Sequence, residues 1–144
     1  MVDVRKKSVT HRIAIAEAKL NMSEQTVKMI VDNKTPKGDV FAVARVAGIQ
    51  AAKRTHELIP LCHPLALTAI CIEFKTGANY VKICGTVECE GKTGVEMEAL
   101  TAVTVAGLTV YDMVKAVERG IEMTGVRLVE KLGGRSGHWR ADKS

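Results

Sequence analysis

Residues 95–118, VEMEALTAVTVAGLTVYDMVKAVE, place Ala, Val, Leu or Thr at nearly every position of a helical wheel. A helix that is apolar all round is stable in water only where most of its girth is covered, either by the rest of its own chain or by a second copy. The Gly91-Lys92-Thr93-Gly94 stretch breaks the chain before it, and the pattern predicts one long helix over Glu96 to Glu118. Its polar exceptions matter. Glu98, Thr101, Val105, Leu108, Asp112 and Lys115 fall on one face, and Asp112 and Lys115, three residues apart, are neighbours on it. Fourteen residues separate Glu98 from Asp112. That is roughly 21 Å along a helix, too far for both to touch one small molecule from a single copy of the chain. Two such helices running antiparallel across a twofold axis would bring the Glu98 end of one beside the Asp112 end of the other. A site shared between protomers is therefore expected.

Alternating segments supply the cover. Residues 10–20, with Ile13 and Ile15 on one side and Arg12, Ala14 and Ala16 on the other, read as a strand. Residues 66–75 and 80–90 alternate about a four-residue turn at 76–79 and read as a hairpin, and residues 121–131 read as a last strand. Two shorter helices lie between the first strand and the hairpin. Ser23 caps one that runs to about Val31, and Asp39 caps another that runs to about Arg54. The second carries Ala44, Ala47, Gly48 and Ala51, a stripe thin enough for close approach of a neighbour and of the kind the expected interface between protomers would use. The order β-α-α-β-β-α-β predicts an α+β domain over residues 1–144, ferredoxin-like, with a four-stranded antiparallel sheet and helices on one face. The glycine-rich, basic end, residues 132–144, reads as a flexible tail, or else as a lid that carries Lys131 and Arg135 onto an anionic ligand.

Residues 37–65, KGDVFAVARVAGIQAAKRTHELIPLCHPL, concentrate the chemistry. Lys53 and Arg54 complement a helix C-terminus, which by itself explains them about half the time. Pro60 and Pro64 forbid helix and hold Leu61-Cys62-His63 in a stiff extended segment, suited to a side chain that must point at a ligand. The formal net charge of +5 favours an anionic partner. Only five aromatic residues are present, too few for the stacking platforms of a single-strand nucleic-acid binder, so a phosphate-rich small molecule is the better candidate. Cys62, Cys71, Cys84 and Cys89 form no CxxC pair and no zinc-ligand spacing, so reduced thiols and no resident metal are expected. No apolar run appears long enough for a membrane span and no apolar core follows the charged N-terminus, so a cytoplasmic location is expected.

Three long stretches, KGDVFAVARVAGIQAAKRTHELIPLCHPL, KTGVEMEALTAVTVAGLTVYDMVKAVERG and VRLVEKLGGRSGHW, together resemble the cyclic pyranopterin monophosphate synthase family of molybdenum cofactor biosynthesis. The resemblance implies a lyase that converts 3′,8-cyclo-7,8-dihydro-GTP to cyclic pyranopterin monophosphate and releases diphosphate, in a homohexamer built as a trimer of dimers with active sites at the dimer interface. It implies no cofactor beyond Mg²⁺ accompanying the triphosphate, and no nucleic-acid or membrane partner. By position in the family pattern, Arg12, Lys53, His63 and Lys131 resemble phosphate contacts. Leu61, Cys62 and His63, with Glu96, Met97 and Glu98, resemble the contacts to the purine end. Asp112 resembles the active-site aspartate, with Lys37 and Lys115 as acid and base, since a lysine crowded by other cations or partly desolvated gives up its proton more readily. The competing class is a non-catalytic nucleotide-triphosphate-binding module using the same cations, which predicts binding without turnover.

Overall fold

A computed structural model describes residues 1–142. One open antiparallel sheet of five strands carries the fold, in the order β2-β3-β1-β4-β5. Strand β1 (Thr10–Asn21) lies between β3 (Tyr80–Gly91) and β4 (Glu122–Leu132), and β2 (Leu67–Thr76) pairs with the outer side of β3. The helices are α1 (Glu24–Val31), α2 (Val40–Lys53), a single turn α3 (Thr55–Leu58) and α4 (Glu96–Val114). The α+β class expected from the sequence holds. The expected four-stranded, ferredoxin-like sheet is corrected to five strands. The fifth, β5 (Trp139–Arg140), pairs Arg140 with Glu130 and Trp139 with Lys131, so the stretch read as a tail folds back as a hairpin. Glycines at left-handed φ, Gly133, Gly134 and Gly137, make that reversal, a conformation a β-carbon would strain.

The choice of which face of β1 is buried follows from side-chain size. Ala14, Ala16, Ala18 and Leu20 are fully buried, while Ile13 and Ile15, on the other face, are only half-buried. Ala16 pairs with Gly85 of β3, so the middle of the sheet is a shallow trough. Helix α4 sits in it: a β-carbon on Gly85 would lie 2.8 Å from Val103 Cγ1. Helix α2 then packs on α4 through its small stripe. A β-carbon on Gly48 would meet the Ala102 carbonyl oxygen at 2.9 Å and the Ala106 methyl at 3.2 Å, and Ala44 and Ala51 are buried beside it. The stripe does receive a close neighbour, but its expected use between protomers is corrected: the neighbour is α4 of the same chain. By length and composition α4 is apolar enough to cross a bilayer, contrary to the expectation that no run approaches that length; half of it is buried inside this fold.

Both anticipated caps form. Thr26 N–H donates to Ser23 Oγ at 3.2 Å and Ala42 N–H to Asp39 Oδ1 at 3.1 Å. Helix α4 stops at Val114 rather than Glu118. The Glu118 carboxylate turns to the start of α1, accepting from Ser23 N–H at 2.9 Å and Thr26 Oγ at 2.7 Å, and these two donors hold its pKa below the usual carboxylate range.

Candidate active site

The residues singled out in the sequence gather at two places, one at each end of α4. At its C-terminal end the loop before α2 brings Lys37 onto α4: Lys37 Nζ lies 3.0 Å from Asp112 Oδ2 and Lys115 Nζ lies 3.1 Å from Asp112 Oδ1. One carboxylate thus holds two ammonium groups. Hydrogen bonds from Lys37 and then Lys115 push the Asp112 pKa down, so it stays ionised and keeps both lysines aimed at one point. All three side chains are about half exposed. The cluster is open on its outer side.

The N-terminal end of α4 borders a crevice with two compartments. The first, about 360 Å³, is lined by Leu61, Cys62 and His63 from the proline-held segment, by Glu96, Met97 and Glu98 from the first turn of α4, and by Val2, Val4 and Lys7 of the N-terminal segment. Glu98 lies at its base, 3% exposed. Cys62 Sγ donates to Glu98 Oε2 at 3.5 Å, while Glu98 Oε1 has no hydrogen-bond partner among the described residues. Burial pushes the Glu98 pKa up, against the opposing hydrogen bonds of its own backbone and of Cys62. Burial, and after it the neighbouring Glu98 charge, pushes the Cys62 thiol up to about 11, so Cys62 is a hydrogen-bond donor here and not a thiolate nucleophile. A ligand bringing paired N–H donors to Glu98 would relieve an acceptor that the chain itself leaves orphaned.

The second compartment, about 500 Å³, shares the wall Thr93, Gly94 and Glu96 and is cationic. Arg12, 6% exposed, donates through Nε to the Gly91 carbonyl at 2.9 Å, and Lys131 Nζ lies 3.8 Å from Glu96 Oε2. Among the described residues no group of three or more His, Cys, Asp or Glu is arranged to hold a metal ion.

A family model described as the MoaC family matches residues 1–134, nearly the whole chain. The chain belongs to the MoaC family. This is the cyclic pyranopterin monophosphate synthase family, whose members are enzymes of molybdenum cofactor biosynthesis. Against the pattern read from the sequence, the MoaC fold brings Lys37, Asp112 and Lys115 together in one cluster, and Leu61, Cys62, His63, Glu96, Met97 and Glu98 in one compartment. Arg12 and Lys131 stand in the adjoining one. Lys53, the last residue of α2, is exposed and lines neither compartment. No single protomer unites the Asp112 cluster with the crevice. Sequence reasoning missed Lys6, Lys7, Thr10, Thr93, Gly94 and Ser136, all on the crevice wall. The signal was there in RKKS and GKTG, but short basic or glycine-rich loops carry no period: the first reads only as part of a charged N-terminus and the second only as the break before the long helix.

Proposed function

We propose that this MoaC-family chain is a lyase that converts 3′,8-cyclo-7,8-dihydro-GTP to cyclic pyranopterin monophosphate and diphosphate, at sites formed by two protomers. The observation that carries the two-protomer reading is the separation of the two clusters by the length of one helix, each of them half of what the reaction needs. The crevice supplies recognition: Glu98 faces the guanidine-like edge of the heterocycle with Cys62, His63 and Met97 around it, and Arg12, His63 and Lys131 face phosphate oxygens. The Lys37–Asp112–Lys115 cluster supplies proton transfer and lines neither compartment of the crevice. An antiparallel dimer joins them, and α2 and α4 keep apolar residues on their outer faces for it: Leu108 is 55% exposed, Val46 54% and Val43 46%. Three such dimers would make the homohexamer, and a cytoplasmic location belongs to the same reading.

Ring rearrangement requires a proton removed at one atom and delivered at another, work suited to two ammonium/amine groups held by one aspartate. Closure of the cyclic phosphate follows when a sugar hydroxyl oxygen bonds to the α-phosphorus, its proton passes to a base, and the bond from that phosphorus to the diphosphate oxygen breaks. Cations at the departing oxygens stabilise the charge that develops there. Mg²⁺, where it takes part, would arrive on the triphosphate, as no carboxylate cluster among the described residues is arranged to hold it. Incubating the purified protein with the cyclic dihydro-GTP and measuring diphosphate release tests the reading directly. A chain that binds the compound and releases none is a nucleotide-triphosphate-binding module instead.

A further inference from the structure

We infer that Thr35 is a positioning residue, whose buried hydroxyl fixes the turn that delivers Lys37 to Asp112. The inference rests on the lyase reading, in which Lys37 moves a proton. Residues 35–38, Thr-Pro-Lys-Gly, form a tight turn with Lys37 at its third position. The turn is closed twice: Gly38 N–H donates to the Thr35 carbonyl oxygen at 3.3 Å, and Thr35 Oγ1 donates to the Gly38 carbonyl oxygen at 2.8 Å. The ring of Pro36 restricts φ at the second position, and Gly38 takes φ +97° at the fourth. A β-carbon on Gly38 would meet nothing within 4 Å, so glycine is needed there for its backbone conformation and not for space.

Burial separates Thr35 from the loop around it. It is 7% exposed, and it alone is buried among residues 31–39. Turns of this kind form without a side-chain bond from their first residue, so the buried hydroxyl adds rigidity beyond what chain reversal requires. The flanks are tied as well. Lys34 N–H donates to the Met29 carbonyl oxygen at 2.8 Å behind the turn, and Asp39 caps α2 ahead of it. Lys37 therefore projects from a corner whose backbone is held on both sides, with Nζ 3.0 Å from Asp112 Oδ2. That ion pair is half exposed, and exposed pairs are too weak to hold a loop by themselves. Displacing a reacting group by about 1 Å costs on the order of 10²-fold in rate, so the hydroxyl supplies accuracy that the pair lacks.

Thr35→Val keeps the side-chain volume and deletes the bond. With the cyclic dihydro-GTP it should lower kcat for diphosphate release about 10–100-fold and leave KM within about twofold, since Lys37 lines neither compartment of the crevice. Thr35→Ser, which restores the hydroxyl, should return kcat to within about threefold of wild type. A second readout needs no turnover. Hydrogen bonds from Lys37 and then Lys115 hold the Asp112 carboxyl below its ordinary 3.8, and in Thr35→Val its titration, followed by NMR, should move up toward that value. Thr35→Ser should titrate as wild type does. Gly38→Ala strains the same turn from its other end, so it should move kcat and the titration in the same direction and serves where Thr35→Val does not fold. A loss carried by KM alone, an Asp112 titration unmoved in Thr35→Val, or Thr35→Ser as slow as Thr35→Val would each overturn the inference. A protein that releases nothing from the cyclic dihydro-GTP, yet whose Asp112 titration moves in Thr35→Val, would keep the positioning role and lose the lyase reading. Turnover that Thr35→Val leaves at the wild-type rate would do the reverse.

Discussion

The two ends of α4 are built on opposite principles. At the Asp112 end three charged side chains stand half exposed and satisfied by one another. At the Glu98 end the carboxylate is almost fully buried, keeps an unpartnered oxygen, and sits at the base of a crevice that continues into a cationic compartment. The first end offers titratable groups paired with one another, and the second offers a crevice in which Glu98 Oε1 has no hydrogen-bond partner among the described residues. Under the proposed function the difference means that neither is an active site by itself. It also separates stability from function, since the exposed ion pairs contribute little to folding and the buried carboxylate opposes it.

The largest effect expected from breaking this contrast is chemical. Lys115→Ala should slow diphosphate release from the cyclic dihydro-GTP by about 10²–10⁴-fold, the usual yield of positioned acid–base groups. Its Tm should move by no more than about 2 °C because the pair to Asp112 is exposed. A rate near wild type would take Lys115 out of the chemistry. Next comes complementation. Lys37→Ala and His63→Ala proteins, each inactive, should regain about a quarter of wild-type turnover when unfolded and refolded together, because half the dimers are mixed and each of those has one intact site of two. If the mixture stays inactive, the half-sites do not meet across a twofold.

Two smaller effects concern the scaffold between the ends. Gly48→Ala should lower Tm by roughly 2–6 °C, since a methyl group against the Ala102 backbone carbonyl has nowhere to go and overpacking of this kind costs about 1–2 kcal/mol. A rise in Tm, as helix propensity alone would favour, would show that the α2–α4 contact is looser than described. The smallest effect belongs to Glu98. Its pKa is raised in the folded chain, so the folded state holds the proton more tightly than the unfolded state does. The associated stability is present below the ordinary value of 4.5 and is lost as pH rises through the folded value. Glu98→Gln should therefore raise Tm by about 2–4 °C at pH 7, with a gap that shrinks toward pH 4. A gap independent of pH would mean that the carboxylate is not the source of the strain.

Much of this was open to reading in the residues themselves. The strands at 10–20, 66–75, 80–90 and 121–131 follow from alternation, and the helix starts at Ser23 and Asp39 follow from cap chemistry, because both are local and need no knowledge of neighbours. The two-ended arrangement of α4 followed from helix rise and the spacing of Glu98 and Asp112. Several features were not legible. That Glu118 leaves its helix depends on Ser23, ninety-five residues away, offering an amide to it. The β5 hairpin rests on a two-residue pairing too short to show any period. Lys6, Lys7 and Thr10 gain their meaning only where the 131–136 turn comes to lie across them.

Period, cap residues and one helix's length were enough to predict an α+β chain with charged side chains at both ends of a long helix, too far apart to serve one small molecule from one copy; the roles expected of those side chains came from the family resemblance. The structural inferences depend on interactions within a few residues or on fixed backbone geometry, so the linear order of side chains carries them. Folding alone selected the alanine face of β1 over its isoleucine face, placed the small stripe of α2 against α4 inside the chain, and, among the described residues, left one carboxylate oxygen and one hydroxyl buried without partners. Each of these depends on which surfaces lie within a few ångströms after the sheet closes, and steric fit and desolvation act only at that range.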